Sequence, residues 1–393
     1  MLALLSPAVT PAPPPTPALV AFVEQYKPLL PIPLIAAIGV LLWLFFRKTW
    51  RELDDDSFAA RTEMHARGEV DRRPFVALVL IALVLTLQEY YGGRVFFEQA
   101  IAARLKALEL EHPAIKYGRY TELYGYGWWA LTRIFGYSAP LVLWKFFFRR
   151  DSVLDFGLRT KGFFDHAWIY MLFLAVVLPA MFLVAQNPDF GTYYPFYKQT
   201  SRSWFDLLAW WAMYLGQFFA LELFFRGFFL GALRRSFGSG AIFAMALPYC
   251  MIHYGKPYLE ACGAIIAGIA LGSLSMKTKS IYQGFFVHIT VAVLMDWLSL
   301  RNRKATPISF WPPDVAPPPG ATLDAQRESL ARTVEQSAAG IALVFFLLLV
   351  VMTLRSYRMR TGKAWPWLRP AALGAPSTPS SDAPSLGSVD HDT

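Results

Sequence analysis

The sequence is short of charge, of cysteine and of any soluble-domain signature. Asp, Glu, Lys and Arg make up 17% of its 393 residues, against about 25% in an ordinary soluble domain, which excludes the two or three water-soluble domains that its length would allow. Two cysteines, Cys250 and Cys262, are too few for a disulfide scaffold and lie in or beside apolar segments. There is no phosphate-cradling loop, no serine-nucleophile motif and no soluble stretch large enough for ATP hydrolysis. No cation precedes the first apolar residues, and Pro11, Pro13, Pro14, Pro15 and Pro17 interrupt them, so residues 1–28 read as a flexible lead rather than a cleavable signal peptide. The net charge of +9 would suit nucleic acid, yet the cations cluster at the ends of apolar runs, as membrane topology requires; no nucleic-acid partner is expected.

What the chain has in excess is apolar surface: 55% hydrophobic residues, with 32 Phe and 13 Trp. A helix needs about 20 mostly apolar residues to cross the hydrocarbon core, where no water satisfies an open backbone. Nine stretches qualify: 29–46, 74–91, 124–148, 166–185, 204–232, 240–254, 259–276, 281–300 and 338–354. The third contains Arg133, the sixth is short and carries Pro248, and the seventh is rich in Gly and Ala. The expected fold is all-α, a polytopic integral membrane bundle of about eight or nine transmembrane helices.

Residues 29–154 form its N-terminal transmembrane part. Between the second and third spans, Phe97, Ile101, Leu105 and Leu108 recur at helical spacing beside Glu98, Arg104, Lys106 and Glu109, which predicts an amphipathic interfacial helix ending before Pro113. Residues 155–300 form a membrane core, 301–337 a Pro-rich loop, 338–354 a last span and 355–393 a disordered tail; 305–322 lacks periodicity and also reads as disordered. Lys and Arg are more numerous on the connections 47–73, 145–161, 234–235, 277–279 and the C-terminal tail than on the alternate set. That bias puts the N-terminus outside and the C-terminus in the cytoplasm, in a membrane of the bacterial plasma-membrane type.

Ionisable groups inside a bilayer cost several kcal/mol unless paired or hydrated. Glu222 and Arg226, one helical turn apart, can pair on one face; alone, the pair reads equally well as a lock on helix packing. His253 and His288 are the only two of six histidines within or at the end of the late apolar runs. A single intramembrane His is most often a packed hydrogen-bonding residue. Two of them downstream of a buried Glu/Arg pair suit a group that holds a water or polarises a carbonyl.

These residues carry a family resemblance. Leu221-Glu222-Leu223-Phe224-Phe225-Arg226-Gly227 resembles the first motif of the CAAX-protease and bacteriocin-processing family of intramembrane endopeptidases: two glutamates, three residues, then arginine and usually glycine. Tyr249-Cys250-Met251-Ile252-His253 resembles the second, an aromatic residue and a histidine on successive turns. Gly268, Gly272 and Lys277-Thr278-Lys279-Ser280 lead to His288, as in the third, and Asp155-Phe156-Gly157-Leu158-Arg159 looks like a segment that often precedes the family's core helices.

The resemblance implies a helical membrane fold with a polar cavity opening towards the cytoplasm. It implies His253 as the water-activating histidine, His288 as the oxyanion-side histidine, and Glu222 with Arg226 as the brace. Two positions depart from the pattern. The first glutamate, the general base, falls on Leu221, and the asparagine expected four residues after His288 falls on Ala292. Neighbouring helical residues point about 100° apart, so Glu222 inherits the base role only through a helix distortion. Substitutes weighed are Asp296, two turns beyond His288; Gln217, one turn before Leu221; and Glu260, near the start of the seventh span.

The expected activity is hydrolysis of a peptide bond in a membrane-anchored protein or peptide, with Glu222, His253 and His288 as the catalytic set. The alternatives are a catalytically silent relative that acts as adaptor or chaperone, and a transporter, although no inverted repeat is visible. No cofactor is expected. Zinc would require three or four close ligands, for which Cys250, His253 and Glu222 are the candidates.

Overall fold

The computed structural model describes Tyr26, Leu29 and residues 31–362, apart from 161–162, 166, 187–189, 257 and 316. The N-terminal lead, with those two exceptions, and the tail from 363 onward lie outside the described residues. Ten main helices follow in chain order: α1 Pro31–Ala66, α2 Arg73–Tyr91, α3 Arg94–Phe96 continued through Phe97–Ile101 to Ala102–Glu111, α4 Tyr117–Phe147, α5 Ala167–Val184, α6 Trp204–Glu222 continued through Leu223–Phe229 to Leu230–Phe237, α7 Gly240–Met251, α8 Tyr258–Thr278, α9 Tyr282–Asn302 and α10 Ala321–Thr361. No strand occurs among the described residues. Among the described residues, seven helices are long and apolar enough to cross a membrane: α1, α2, α5, α6, α8, α9 and α10; α4, which carries the third expected span and Arg133, is not one of them. The chain is an all-α polytopic membrane protein.

Three differences from the sequence reading have local causes. The sixth candidate span is only the 12-residue α7, about 18 Å long and too short to cross alone. Pro248 removes a ladder hydrogen bond near its end, so the helix stops at Met251 and His253 falls in the turn beyond it. The last helix starts at Ala321 rather than 338 because good helix formers follow Gly320 and because Arg301 pairs with Glu328 and with Glu335 (3.1 Å) across the α9–α10 junction. Residues 305–315 are tied to the bundle at several points, although Phe310, Trp311 and Val315 stay exposed. The carbonyls of Ser309 and Phe310 accept from the Trp204 and Phe205 amides (2.9 Å each), and Arg119 pairs with Asp314 at 2.7 Å. Helix α3 ends at Glu111, ahead of Pro113, as its pattern predicts.

The helices that hold the site are fixed by local chemistry. Ser203 starts α6 by accepting from the Asp206 amide at 3.1 Å, satisfying one of the orphan donors of a helix N-terminus. At the far end, the positive φ of Gly238 (+57°) breaks the helix, and Asp54 of α1 accepts from the Ser239 amide (2.7 Å) at the entry of α7. Gly227 lets α6 approach another stretch of backbone: a Cβ there would lie 2.6 Å from the Phe156 carbonyl oxygen. The same segment pins α9, because the Gly157 carbonyl accepts from the Ile281 amide at 3.1 Å. Trp50 of α1 donates to Ser273 of α8 at 2.9 Å. Phe224, Phe225, Phe228, Leu230 and Leu233 of α6 pack into the main core with Tyr137 and Trp144 of α4.

Candidate active site

Helix α6 widens just where the first motif lies, with a π-helical stretch over Leu223–Phe229. Such wide turns are rare and recur at functional sites. Glu222, 0% exposed, stands at its entrance and Arg226, 3% exposed, inside it. Their charges are 3.3 Å apart. The Glu222 carboxylate points towards α9: a Cβ on Gly284 would meet its Oε2 at 2.7 Å. The Arg226 guanidinium lies over the Tyr249 ring, 3.9 Å from its centroid, so charge attraction and cation–π contact hold this cation.

His288, one turn beyond Gly284 on α9, brings its Nδ1 to 2.8 Å from Glu222 Oε1. The approach is close enough for an ion pair but out of line for a hydrogen bond, and both Glu222 oxygens and all three Arg226 guanidinium nitrogens lack hydrogen-bond partners. The pair is therefore held by charge more than by directed bonds. On its other side His288 meets the Tyr249 hydroxyl at 3.1 Å from Nε2, and Phe218 stacks on its ring. The next turn of the second motif adds His253, whose Nδ1 lies 2.8 Å from the Tyr249 carbonyl. A carbonyl only accepts, so Nδ1 carries the proton and Nε2 of the neutral ring keeps its lone pair. Burial, with Lys256 adding to it, pushes the pKa of His253 down to about 4, so the ring is neutral at pH 7.

These groups edge a cavity of about 730 Å³. Its inner end is formed by Leu221, Tyr249, His288 and Tyr137, and its outer end by Tyr194, Lys256, Glu260 and Met295. Helices α5 and α8 meet at the inner end, where Ile169 and Tyr170 pack with Leu271 and Leu274. Further out both line the cavity, Val177 and Val184 on one side and Gly263 and Ala264 on the other. Space is open beside Gly263. The cavity thus runs to the end of the bundle built from the turn after α7, the connection before α6 and the end of α9. Glu222, Arg226, Ile281 and Gln283 are buried and do not line it.

The proposed residues separate accordingly. His253, His288, Gln217 and Glu260 line the cavity, whereas Glu222, Arg226 and Asp296 do not. The distortion in α6 begins one residue too late to turn Glu222 inward; Leu221 occupies the wall and Glu222 sits behind His288. Ala292 lines the wall one turn past His288. Asp296 does not orient His288. Its Oδ2 accepts from the indoles of Trp210 (2.7 Å) and Trp211 (3.2 Å) on α6. Glu260 is held by the Tyr194 hydroxyl (2.9 Å) and by Lys256 (2.5 Å), which occupies both its oxygens.

Cys250 Sγ contacts the Ala261 carbonyl at 3.5 Å, and among the described residues no three His, Cys, Asp or Glu side chains gather as metal ligands. The residue that sequence reasoning undervalued is Tyr249. In the sequence it is only the aromatic half of a motif, yet it touches Arg226, His288 and His253. Its signal was present in the spacing, since the i and i+4 positions of a helix share a face.

No curated protein and no solved structure matches the chain. Residues 202–294 match the family model described as type II CAAX prenyl endopeptidase Rce1-like. The match starts beside the cap of α6 and ends in α9 just beyond Ala292, so it encloses all three motifs. Over that segment this integral membrane protein is similar to the type II CAAX prenyl endopeptidase Rce1-like family.

Proposed function

We propose that the protein is an intramembrane endopeptidase that hydrolyses a peptide bond in a membrane-anchored protein or peptide. The observation that carries this reading is the meeting of His253, Tyr249 and His288 on one cavity wall, with Glu222 directly behind His288. The free lone pair of His253 Nε2 accepts a proton from water as the oxygen attacks the peptide carbonyl. His288, oriented by the Glu222 carboxylate at 2.8 Å from its Nδ1, donates from Nε2 to the developing oxyanion. The proton taken by His253 then passes to the leaving amine. Glu222 is a positioning residue here, since it touches no substrate.

The experiment is cleavage of membrane-anchored peptides by the purified protein in proteoliposomes, read by mass spectrometry. His253→Ala is expected to reduce turnover by about 10²–10⁴, the usual contribution of a general base, and Glu222→Gln to lower kcat with little change in KM. Cleavage that persists undiminished in His253→Ala refutes the assignment.

Leu221 and Ala292 on the wall favour a second reading, a silent relative that binds a tail without cutting it. Wild-type protein that never cleaves but still retains a membrane partner on purification supports that reading.

Orientation follows from charge. The outer end of the cavity and the first turn of α1 lie at one end of the bundle. The cation-richer connections, those after α1, α4, α6 and α8, lie at the other. With the cation-rich end in the cytoplasm, the cavity opens on the outer face, opposite to the side that the family resemblance implies. In a background lacking Cys250 and Cys262, Gly255→Cys in the exposed turn after α7 is expected to react with a membrane-impermeant maleimide in spheroplasts. Ala59→Cys on α1 should react only after permeabilisation. The reverse pattern inverts the orientation.

A further inference from the structure

Arg133 sits near the middle of α4, 16 residues from Tyr117 and 14 from Phe147, about 24 and 21 Å from the helix ends. It lines the cavity. Its contact is the Trp129 ring, 4.7 Å below the guanidinium carbon, and its Nη1 is buried without a hydrogen-bond partner. Among the described residues no carboxylate lies within 4 Å of it. Glu89 of α2, whose charge acts on it, is exposed and beyond ion-pair distance. Among the described residues, the carboxylate that lines the cavity is Glu260, already engaged by Lys256 and Tyr194.

A cation held at mid-bundle depth without a counter-charge is costly unless it has a working partner. The planar guanidinium, fixed on an indole face, leaves its outer fork for two parallel N–H···O bonds to a carboxylate. We infer that Arg133 binds the C-terminal carboxylate of the substrate's tail, and that this contact sets which peptide bond reaches His253 and His288. As a statement about substrate, this rests on the peptidase reading above.

Depth selects this source over a lipid phosphate. An extended peptide advances about 3.3–3.6 Å per residue, so roughly seven residues carry a terminal carboxylate from the α4 end to Arg133. A phosphate would have to leave the headgroup layer with two acyl chains attached. The walls along the way are aromatic and aliphatic: Trp129, Trp210, Tyr214 and Phe218 on one side, Ala264 and Ala267 on the other. They suit apolar residues ahead of that charge.

The test is binding, which needs no turnover. A dansylated heptapeptide of Val, Leu and Ala is offered to the protein in nanodiscs, once with a free C-terminal carboxylate and once as the amide. The acid is expected to bind at least about tenfold tighter, as for a hydrogen-bonded ion pair removed from water. Arg133→Gln should abolish the preference, and Arg133→Lys should retain part of it, since it keeps the charge and loses the fork. Equal binding of acid and amide by wild type overturns the inference, and so does a preference that survives Arg133→Gln. Loss of the acid preference when phosphatidate is added to the nanodiscs makes a lipid phosphate the occupant and also overturns it. If Arg133→Gln does not fold, the wild-type pair and Arg133→Lys decide. A protein that prefers the acid but cleaves nothing would sink the peptidase reading and the choice of scissile bond with it, while Arg133 as the carboxylate-binding residue would stand.

Discussion

Leu221→Glu combined with Ala292→Asn is expected to raise peptide cleavage in proteoliposomes by about 10²–10⁴, the range a positioned general base supplies, with a further gain from the added oxyanion donor. Both positions are on the cavity wall, Leu221 on α6 and Ala292 one turn beyond His288 on α9. A carboxylate at 221 would enter the space shared with His253 and His288, whereas Glu222 faces Gly284 behind that wall. Leu221→Gln is the control, because it matches the shape without accepting a proton. Equal rates for Leu221→Glu and Leu221→Gln would show that the missing acid is not what limits the site. The result also separates the two functional readings, since a silent relative gains activity from nothing and a slow enzyme gains it from a baseline.

Arg226→Met is expected to destabilise the protein by about 3–5 kcal/mol, the cost of leaving one member of a buried ion pair uncompensated. Glu222 would then face Gly284 and His288 with no fixed cation, and the Tyr249 ring would lose the charge seated on it. Adding Glu222→Gln to Arg226→Met should recover most of the loss, because the buried charge disappears with its partner. Unfolding in mixed micelles, followed by tryptophan fluorescence, measures both. Similar stability for the single and double variants would mean that the pair is hydrated rather than sealed.

Much of the architecture could be read from the residues because the bilayer imposes a length and a polarity on each span. All nine apolar stretches overlap helices, but those on α4 and α7 are not among the seven long and apolar enough to cross a membrane. The pattern of Phe97 to Leu108 fixed helix α3 and its end. What escaped were features decided by tertiary contacts. The anchoring of 305–315 depends on backbone bonds to Trp204 and Phe205, which no local pattern announces. The shortness of α7 was signalled by Pro248, but apolar residues beyond it masked the stop.

At the site, the spelling of the motifs singled out Glu222, Arg226, His253 and His288. It left open which way Glu222 faced, because that depends on where a wide turn starts. Asp296 shows the limit of a periodicity argument. Two turns of helix put it on nearly the same face as His288, yet two indoles from α6 claim it first. Arg133 was visible only as an oddity in an apolar run, since its lack of a counter-charge is a property of its surroundings.

The wide turn in α6 has a further consequence. It divides one rod: the part before it supplies Gln217, Phe218 and Leu221 to the chamber, and the wide turn itself is moored by Gly227 to the Phe156 backbone. Evolution can therefore rewrite the chamber's surface, swapping an acid for a leucine, without loosening the mooring that keeps the rod in place. A fold with this division of labour can lose a chemistry or acquire another while its scaffold stays intact.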